Sequence, residues 1–384
     1  MRSIAVVIIT VCLVFYPVLT AQSIICSNAR VHTFYYLWYD VPNENIDNSS
    51  YKHWNHEVLP HWGGETVNNR FPTVGSRHHP ENNELHSPFF PLSGPYSSTD
   101  RSTIIQHFEL LMEANIGVLV VSWWGQASKS YATDTQGVNT DRSIAKLLEI
   151  ASEILSNSTS ACPVRIAFHL EPYTSRSVES VHDDVKYIID NYSRYPAFYR
   201  DEATGKPLFY VYDSYHIEPV DWRRLLTPAE DSQNSISIRN DPLYDSIFIG
   251  LWLDGRHGSD LLEGGFDGIY TYFASEGFSY GSTPANWGRI SSFCLTHRLL
   301  SSLSVGPGYD DSSIRPWNTH NTKSRRFVQS KWQVFDINNS SLVFSEGRYY
   351  SEQWEAAIKA RPSFVRWDNS MIDWIVRVTK FCIV

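Results

Sequence analysis

Cysteine is scarce in this sequence: there are five, Cys12, Cys26, Cys162, Cys294 and Cys382, and no two stand at the close spacing of a metal-ligand pair. That excludes a disulfide framework and leaves room for one disulfide. Basic charge is also short, with 32 Lys and Arg against 41 Asp and Glu and a formal net charge of -9. A surface meant to neutralise phosphates needs clustered cations, so no nucleic-acid partner is expected. There is no internal repeat, no low-complexity tract, and no Gly-rich phosphate loop after the first apolar run. Nor does any apolar run reach the about 20 residues that a bilayer-spanning helix needs.

The run that comes nearest opens the chain. Met1-Arg2-Ser3 precedes an apolar stretch from Ile4 to Leu19, broken by Thr10 and Pro17, and Ala21 offers a small residue for cleavage. Residues 1–21 are therefore expected to be a signal peptide or an N-terminal membrane anchor, the only expected membrane contact. Acceptor sequons for N-glycosylation at Asn48, Asn157, Asn191, Asn338 and Asn339 agree with passage through the secretory pathway.

What the chain has in quantity is aromatic surface: 13 Trp, 22 Tyr and 19 Phe. Such flat faces can pack in a core or lie against a ligand, and composition does not choose between these uses. At 384 residues the chain can bury one large core. Eight short apolar or aromatic runs, at 31–39, 116–124, 164–171, 207–213, 246–253, 268–273, 303–306 and 363–367, alternate with helical or loop-like stretches. The helical stretches carry apolar faces of period 3.6: Ile104, Ile105, Phe108, Leu111 and Met112; Ile144, Leu147, Leu148, Ala151, Ile154 and Leu155; Val181, Val185, Ile188 and Ile189. This count and alternation predict an α/β fold, a (β/α)8 TIM-type barrel in preference to a doubly wound sheet, with polar excursions at 42–98 and 323–348.

In a parallel barrel the chemistry gathers where strands end. Phe34 to Asp40, Ser122-Trp123-Trp124-Gly125, His169-Leu170-Glu171-Pro172-Tyr173, Tyr210-Val211-Tyr212-Asp213 and Trp252-Leu253-Asp254-Gly255 all end runs in aromatics, carboxylates or both. Pyranose rings suit such a lining, because their axial C–H groups rest on aromatic faces while carboxylates and His take the hydroxyls. The plainer reading makes the aromatics core residues and Asp213 or Asp254 a helix cap. His169 and Glu171, two apart on a strand, share one face and favour function. Glycoside hydrolysis by carboxylates needs two acidic groups, and Glu171 with Asp213 or Asp254 are candidates that spacing leaves undecided.

Two other chemistries have weaker signatures. Gly277-Phe278-Ser279-Tyr280-Gly281 matches G-x-S-x-G, with Asp310 and His320 downstream, but the preceding run ends near Phe273 and does not feed the turn. His53, His56, His61, His78, His79 and His86 cluster, yet His56 to His61 is one residue too long for ligands on consecutive helix turns, and Pro60 interrupts the helix. No metal and no cofactor are expected.

At these residues the sequence resembles the glycoprotein endo-α-1,2-mannosidases of glycoside hydrolase family 99. The blocks that carry the resemblance come in order: FYYLWYD, the WNH and LPHW turns near Trp54 and Trp62, PLSGPYSSTD, SWWG, FHLEPY, KPLFYVYDSYHI, GFDGIYTYFASEGFSYGSTP and SVGPGYDDSSIRPWNTHNT, over about residues 31 to 365. The resemblance implies a (β/α)8 catalytic domain over 31–365 and retaining hydrolysis that releases glucosylated mannose from N-linked high-mannose glycans. It implies a monomer in the Golgi membrane or lumen, and substrate binding by Tyr36, Trp123, Trp124, His169, Glu171, Tyr212, Tyr270 and Arg315.

The sequence departs from the family at one place. There the Arg-Pro dipeptide leads into an Asn-Glu-Trp-His-Glu-Gly stretch whose first glutamate deprotonates the substrate's 2-hydroxyl, forming an anhydrosugar, and whose second protonates the leaving sugar. Here Arg361-Pro362-Ser363-Phe364-Val365 runs instead into Arg366-Trp367-Asp368-Asn369-Ser370-Met371-Ile372-Asp373, a divergent tail over 366–384. No residue is carried over as catalytic, and Asp368 and Asp373 have the wrong spacing. The barrel is expected to be incomplete at its C-terminal end and the chain as written to be inactive. The alternative is a protein that binds mannosides without turnover.

Overall fold

The computed structural model describes residues 31–318, apart from 44, 46–48, 62, 65–67, 88–89, 92, 114–115, 158–162, 230–234, 273–276 and 305–310, together with the strands Gln333–Phe335 and Leu342–Phe344. The N-terminal segment, the sequon asparagines 48, 338 and 339, Trp62, Asp310, His320, four of the five cysteines, the run at 363–367 and the tail lie outside the described residues. Among those that are described, no helix is long and apolar enough to cross a membrane.

Seven strands form one parallel sheet in chain order: β1 His32–Tyr35, β2 Val118–Trp123, β3 Arg165–Leu170, β4 Leu208–Val211, β5 Ile247–Leu251, β6 Gly268–Thr271 and β7 Leu300–Leu303. Among the described residues, six α-helices lie between them: α1 Arg101–Glu113, α2 Asp141–Asn157, α3 Val178–Tyr192, α4 Pro219–Leu226, α5 His257–Glu263 and α6 Trp287–His297. Two further strands, β8 Gln333–Phe335 and β9 Leu342–Phe344, pair antiparallel within the second predicted excursion. The first excursion, between β1 and α1, includes a 3-10 turn at Pro80–Asn82.

The sheet is curled. Tyr210 on β4 places its hydroxyl 2.8 Å from Nδ1 of His32 on β1, and Phe34 of β1 packs on Tyr210 and on Tyr270 of β6 with ring centroids 5.6 and 5.7 Å apart. Strands that are not neighbours meet in this way only across a hollow interior. Side chains alternate accordingly. Val118, Val120, Ala167, Tyr210, Ile249 and Tyr270 fill the inside, while Leu119, Val121, Ile166, Phe168, Phe209, Val211 and Phe248 face outward into a larger core shared with the helices. That outer core takes the predicted helical faces, including Ile104, Phe108, Leu111, Ile144, Leu147, Val181, Val185 and Ile188, all buried.

The seven parallel strands form the curled part of a barrel, as the alternation predicted. One boundary moves. The seventh strand is Leu300–Leu303, not 303–306, because α6 ends on Arg298 in the left-handed region (φ 59) and Leu300 then pairs with Gly268. Ser301 and Ser302 hid this strand from an apolar count, although Ser302 points inward to within 3.3 Å of the Tyr210 hydroxyl.

Candidate functional site

At the C-terminal ends of the strands the inward positions turn from aliphatic to polar. His169 at the end of β3 is buried, and its Nδ1 stands 2.9 Å from Oε1 of Glu171 and its Nε2 2.8 Å from the Tyr270 hydroxyl. A carboxylate only accepts, so Nδ1 donates, which leaves Nε2 to accept from the Tyr270 hydroxyl. Ser122, the inward residue of β2, donates its hydroxyl to the same Oε1 at 2.8 Å. Glu171 is thus a buried carboxylate whose orientation is set by two strands.

Tyrosines surround it. Tyr36, just past β1, hydrogen-bonds its hydroxyl to that of Tyr272. The Tyr272 ring stands 5.0 Å from Tyr212, and Tyr212 lies 5.3 Å from His169. Burial, with the negative charge of Glu171, holds Tyr36, Tyr212, Tyr270 and Tyr272 above the usual tyrosine range. All four stay neutral and can donate or accept.

One wall of the mouth is a stack rising from the first strand. Tyr36 lies on Trp38 with centroids 4.2 Å apart, Trp38 lies on His53 at 4.2 Å, and His53 Nε2 stands 2.7 Å from Oδ2 of the buried Asp134. His56 follows 5.5 Å from His53, and burial with the nearby His53 and Arg315 lowers its pKa to about 4. Arg315 therefore belongs to this edge. Its guanidinium holds Asp311 at 3.1 Å, and its segment is fastened to the excursion by Leu59 N–H donating to the Ile314 carbonyl at 2.8 Å and the Trp317 indole to the Leu59 carbonyl at 3.0 Å.

Of the eight residues picked out for substrate binding, Tyr36, His169, Glu171, Tyr212 and Tyr270 form one contiguous cluster, and Arg315 stands at the His56 edge. The two tryptophans separate. Trp123 has the outward parity, is fully buried in the outer core, and donates its indole N–H to Asp141 of α2 at 2.8 Å, so it is placed away from the mouth. Trp124 is half-buried, and its Nε1 is buried with no hydrogen-bond partner among the described residues. Asp254 also stands apart: it is exposed and accepts from the Arg256 backbone N–H at 3.1 Å in the turn before α5, whose N-cap is Arg256 and not Asp254. Asp213 lies near enough for the charge of Glu171 to help raise its pKa, after burial.

The two other motifs resolve into structure. Ser279 exchanges hydrogen bonds with Ser282, Oγ to Oγ at 3.0 Å, in a loop that neither follows a strand nor opens a helix directly, since β6 ends at Thr271 and α6 starts at Trp287. Gly281 is needed because a Cβ there would lie 2.0 Å from the Trp252 carbonyl oxygen. No group of three or more His, Cys, Asp or Glu among the described residues is placed to hold a metal ion.

Sequence reasoning missed Ser122, Tyr272, Trp38 and His53. Parity could have supplied three of these, since Ser122 and Trp124, Tyr270 and Tyr272, and Tyr36 and Trp38 are each two apart. Nothing local pointed to His53.

Comparison with known proteins gives a consistent picture. The profile of glycosyl hydrolase family 99 matches residues 26–376. The chain is 40% identical over 341 residues to the glycoprotein endo-alpha-1,2-mannosidase of Rattus norvegicus, covering 88% of this chain and 64% of that protein. It is 41% identical over 338 residues to the glycoprotein endo-alpha-1,2-mannosidase-like protein of Homo sapiens, covering 87% and 65%. It thus spans somewhat under two thirds of the length of these relatives. Among solved structures, the GH99 endo-alpha-mannosidase from Bacteroides thetaiotaomicron superposes with a TM-score of 0.65 at 34% identity, covering 86% of this chain and 82% of that one.

Proposed function

Because the chain belongs to glycosyl hydrolase family 99, we propose that its barrel mouth holds α-mannosides of N-linked high-mannose glycans in the manner of an endo-α-1,2-mannosidase, in the Golgi membrane or lumen. The observation that carries the reading is the Glu171 carboxylate, fixed through Oε1 by Ser122 and His169 in a ring of neutral tyrosines. With Oε1 occupied by two donors, Oε2 is the oxygen left to accept a sugar hydroxyl. Tyr36, Tyr212 and Tyr272 add hydroxyls that can serve as donor or acceptor, and Trp124 supplies an aromatic face of the kind sugar C–H groups rest on.

Hydrolysis is a separate matter. Retaining cleavage needs a base and an acid on either side of the scissile bond, and the family's Asn-Glu-Trp-His-Glu-Gly stretch is not in this sequence. Our reading is that the chain as given, acting as a monomer, grips its glycan and does not cut it.

The test pairs calorimetric titration of α-1,2-linked mannobiose with a release assay on a glucosylated high-mannose glycan. Saturable binding without release is expected. Release of glucosyl-mannose would overturn the inactive assignment, and no binding would overturn the glycan reading itself.

A further inference from the structure

Asp213 directly follows β4 and precedes a short 3-10 turn, Ser214–His216, where an aspartate ordinarily caps the turn with its side chain. Here it does not: the side chain makes no capping hydrogen bond, and the backbone is in the left-handed region at φ 46 and ψ 44. That conformation is unfavourable for any residue with a Cβ, although Asp tolerates it better than most. Five non-glycine residues with positive φ occur among the described residues, and three of them, His53, Ser175 and Asp213, lie around the mouth of the barrel. Strained backbone of this kind persists where surrounding structure enforces it.

The enforcing group is Arg176, from the loop after β3. Its Nη1 donates to the carbonyls of Leu170 at 3.2 Å and Tyr212 at 2.7 Å, and its Nη2 donates to the Asp213 carbonyl at 2.8 Å. One planar fork thereby ties the end of β3, beside His169 and Glu171, to the end of β4, and fixes the peptide groups on both sides of Asp213. Arg176 has no direct ion pair among the described residues, yet its charge acts on both Asp213 and Glu171. The Asp213 carboxylate accepts a hydrogen bond from Tyr215, and its charge reaches Tyr270 and Tyr272 together with that of Glu171. Tyr215 is itself 42% exposed and stacks on His257, centroids 5.0 Å apart, so Asp213 stands between the buried floor of the site and an exposed aromatic lip.

We propose that Asp213 is a further sugar-binding residue of this site, a second carboxylate that accepts a hydroxyl of the bound mannoside, and that Arg176 is the residue that positions it. The inference rests on the glycan reading given above and adds a contact on the β4 side, opposite the Trp38 wall. It accounts for a strained aspartate that does no capping, and for a guanidinium spent on three carbonyls.

Calorimetry with α-1,2-linked mannobiose, paired with thermal unfolding, tests it in the full chain. Asp213→Asn, which keeps the shape and tolerates the left-handed backbone, should weaken binding about tenfold, the worth of one charged hydrogen bond. Asp213→Gly should weaken it as much while leaving the unfolding temperature unchanged or a few degrees higher, because glycine relieves the strained φ. Arg176→Lys keeps the charge and loses the fork. It should weaken binding in the unaltered background and add no further loss on top of Asp213→Asn. Equal losses in both backgrounds would make Arg176 merely structural and overturn its positioning role. Unchanged affinity in both Asp213 variants would overturn the inference and leave the glycan reading standing, whereas failure of the unaltered chain to bind would overturn both.

Discussion

Trp123 gives its indole N–H to Asp141 Oδ1 at 2.8 Å, and Asp141 gathers three more donors: the Tyr192 hydroxyl at 2.7 Å, the Tyr187 hydroxyl at 2.8 Å and the Ala127 backbone N–H at 2.9 Å. The first residue of α2 is thereby fastened to the end of β2 and the last turns of α3. A buried carboxylate with four donors is fully used, so each donor removed leaves it poorer by an interaction that water does not replace.

Trp123→Phe should therefore cost about 2–3 kcal/mol of stability, one charged hydrogen bond plus lost packing, and leave mannobiose affinity unchanged. Trp124→Ala should do the opposite, weakening binding with little change in stability. Urea unfolding and calorimetry on the two variants separate the roles, and a loss of affinity in properly folded Trp123→Phe would place that ring at the ligand after all.

His169 bridges Glu171 and Tyr270 and packs on Phe34 with centroids 4.7 Å apart. His169→Phe keeps the packing and removes both hydrogen bonds. It leaves a buried carboxylate and a buried phenol each short of a partner, at a cost of about 1–3 kcal/mol for each. A lower unfolding temperature and at least tenfold weaker mannobiose binding are expected, whereas native affinity would show that the orientation of Glu171 is immaterial to the ligand.

Buried histidines give the fold an acid limit. His107 on α1, with Nδ1 2.7 Å from the Tyr35 hydroxyl, has its pKa lowered by burial from 6.5 to about 4. Between those values the unfolded chain binds the proton more readily than the folded one, so the stability is fully present above pH 6.5 and is lost as pH falls towards 4. The difference amounts to about 3 kcal/mol. His56 and His86, lowered mainly by burial to about 4 and about 3, act in the same direction. His107→Gln, which can still meet Tyr35, should flatten the decline between pH 7 and 4 by about that amount in urea titrations. An unchanged slope would show that His107 does not titrate there.

Much of this architecture was legible in the sequence because β strands and amphipathic helices write their periods into it: Val118 to Val121 and Ile166 to Leu170 could hardly be anything but buried strands, and the faces of α1 to α3 were visible residue by residue. The pairing of His169 with Glu171 followed from parity. Illegible was the sense of the curl, which decides that Ser122 faces in and Trp123 out, since both readings satisfy the same alternation. Contacts between distant segments were equally hidden: that His53 would stack on Trp38 and meet Asp134, or that Arg176 would span two strand ends, depends on loops whose course no local pattern specifies.

The loop with the G-x-S-x-G pattern offers a last discrimination. Gly281 sits where a Cβ would meet the Trp252 carbonyl oxygen at 2.0 Å, a backbone atom that cannot swing aside, and its own carbonyl accepts the Trp287 indole N–H at 2.7 Å. Gly281→Ala must therefore move the loop away from the end of β5 or disturb the start of α6, and should cost about 2–3 kcal/mol. Ser279→Ala loses only the exchange with Ser282, in a half-buried turn, and should cost about 1 kcal/mol with mannobiose affinity intact. If the pattern were a nucleophile elbow, the order of importance would reverse for activity: Ser279 would be labelled by a fluorophosphonate and its alanine variant would be inert. Close packing explains the second glycine without any nucleophile, and unfolding curves on the two variants with a labelling experiment on the unaltered chain decide between the two accounts.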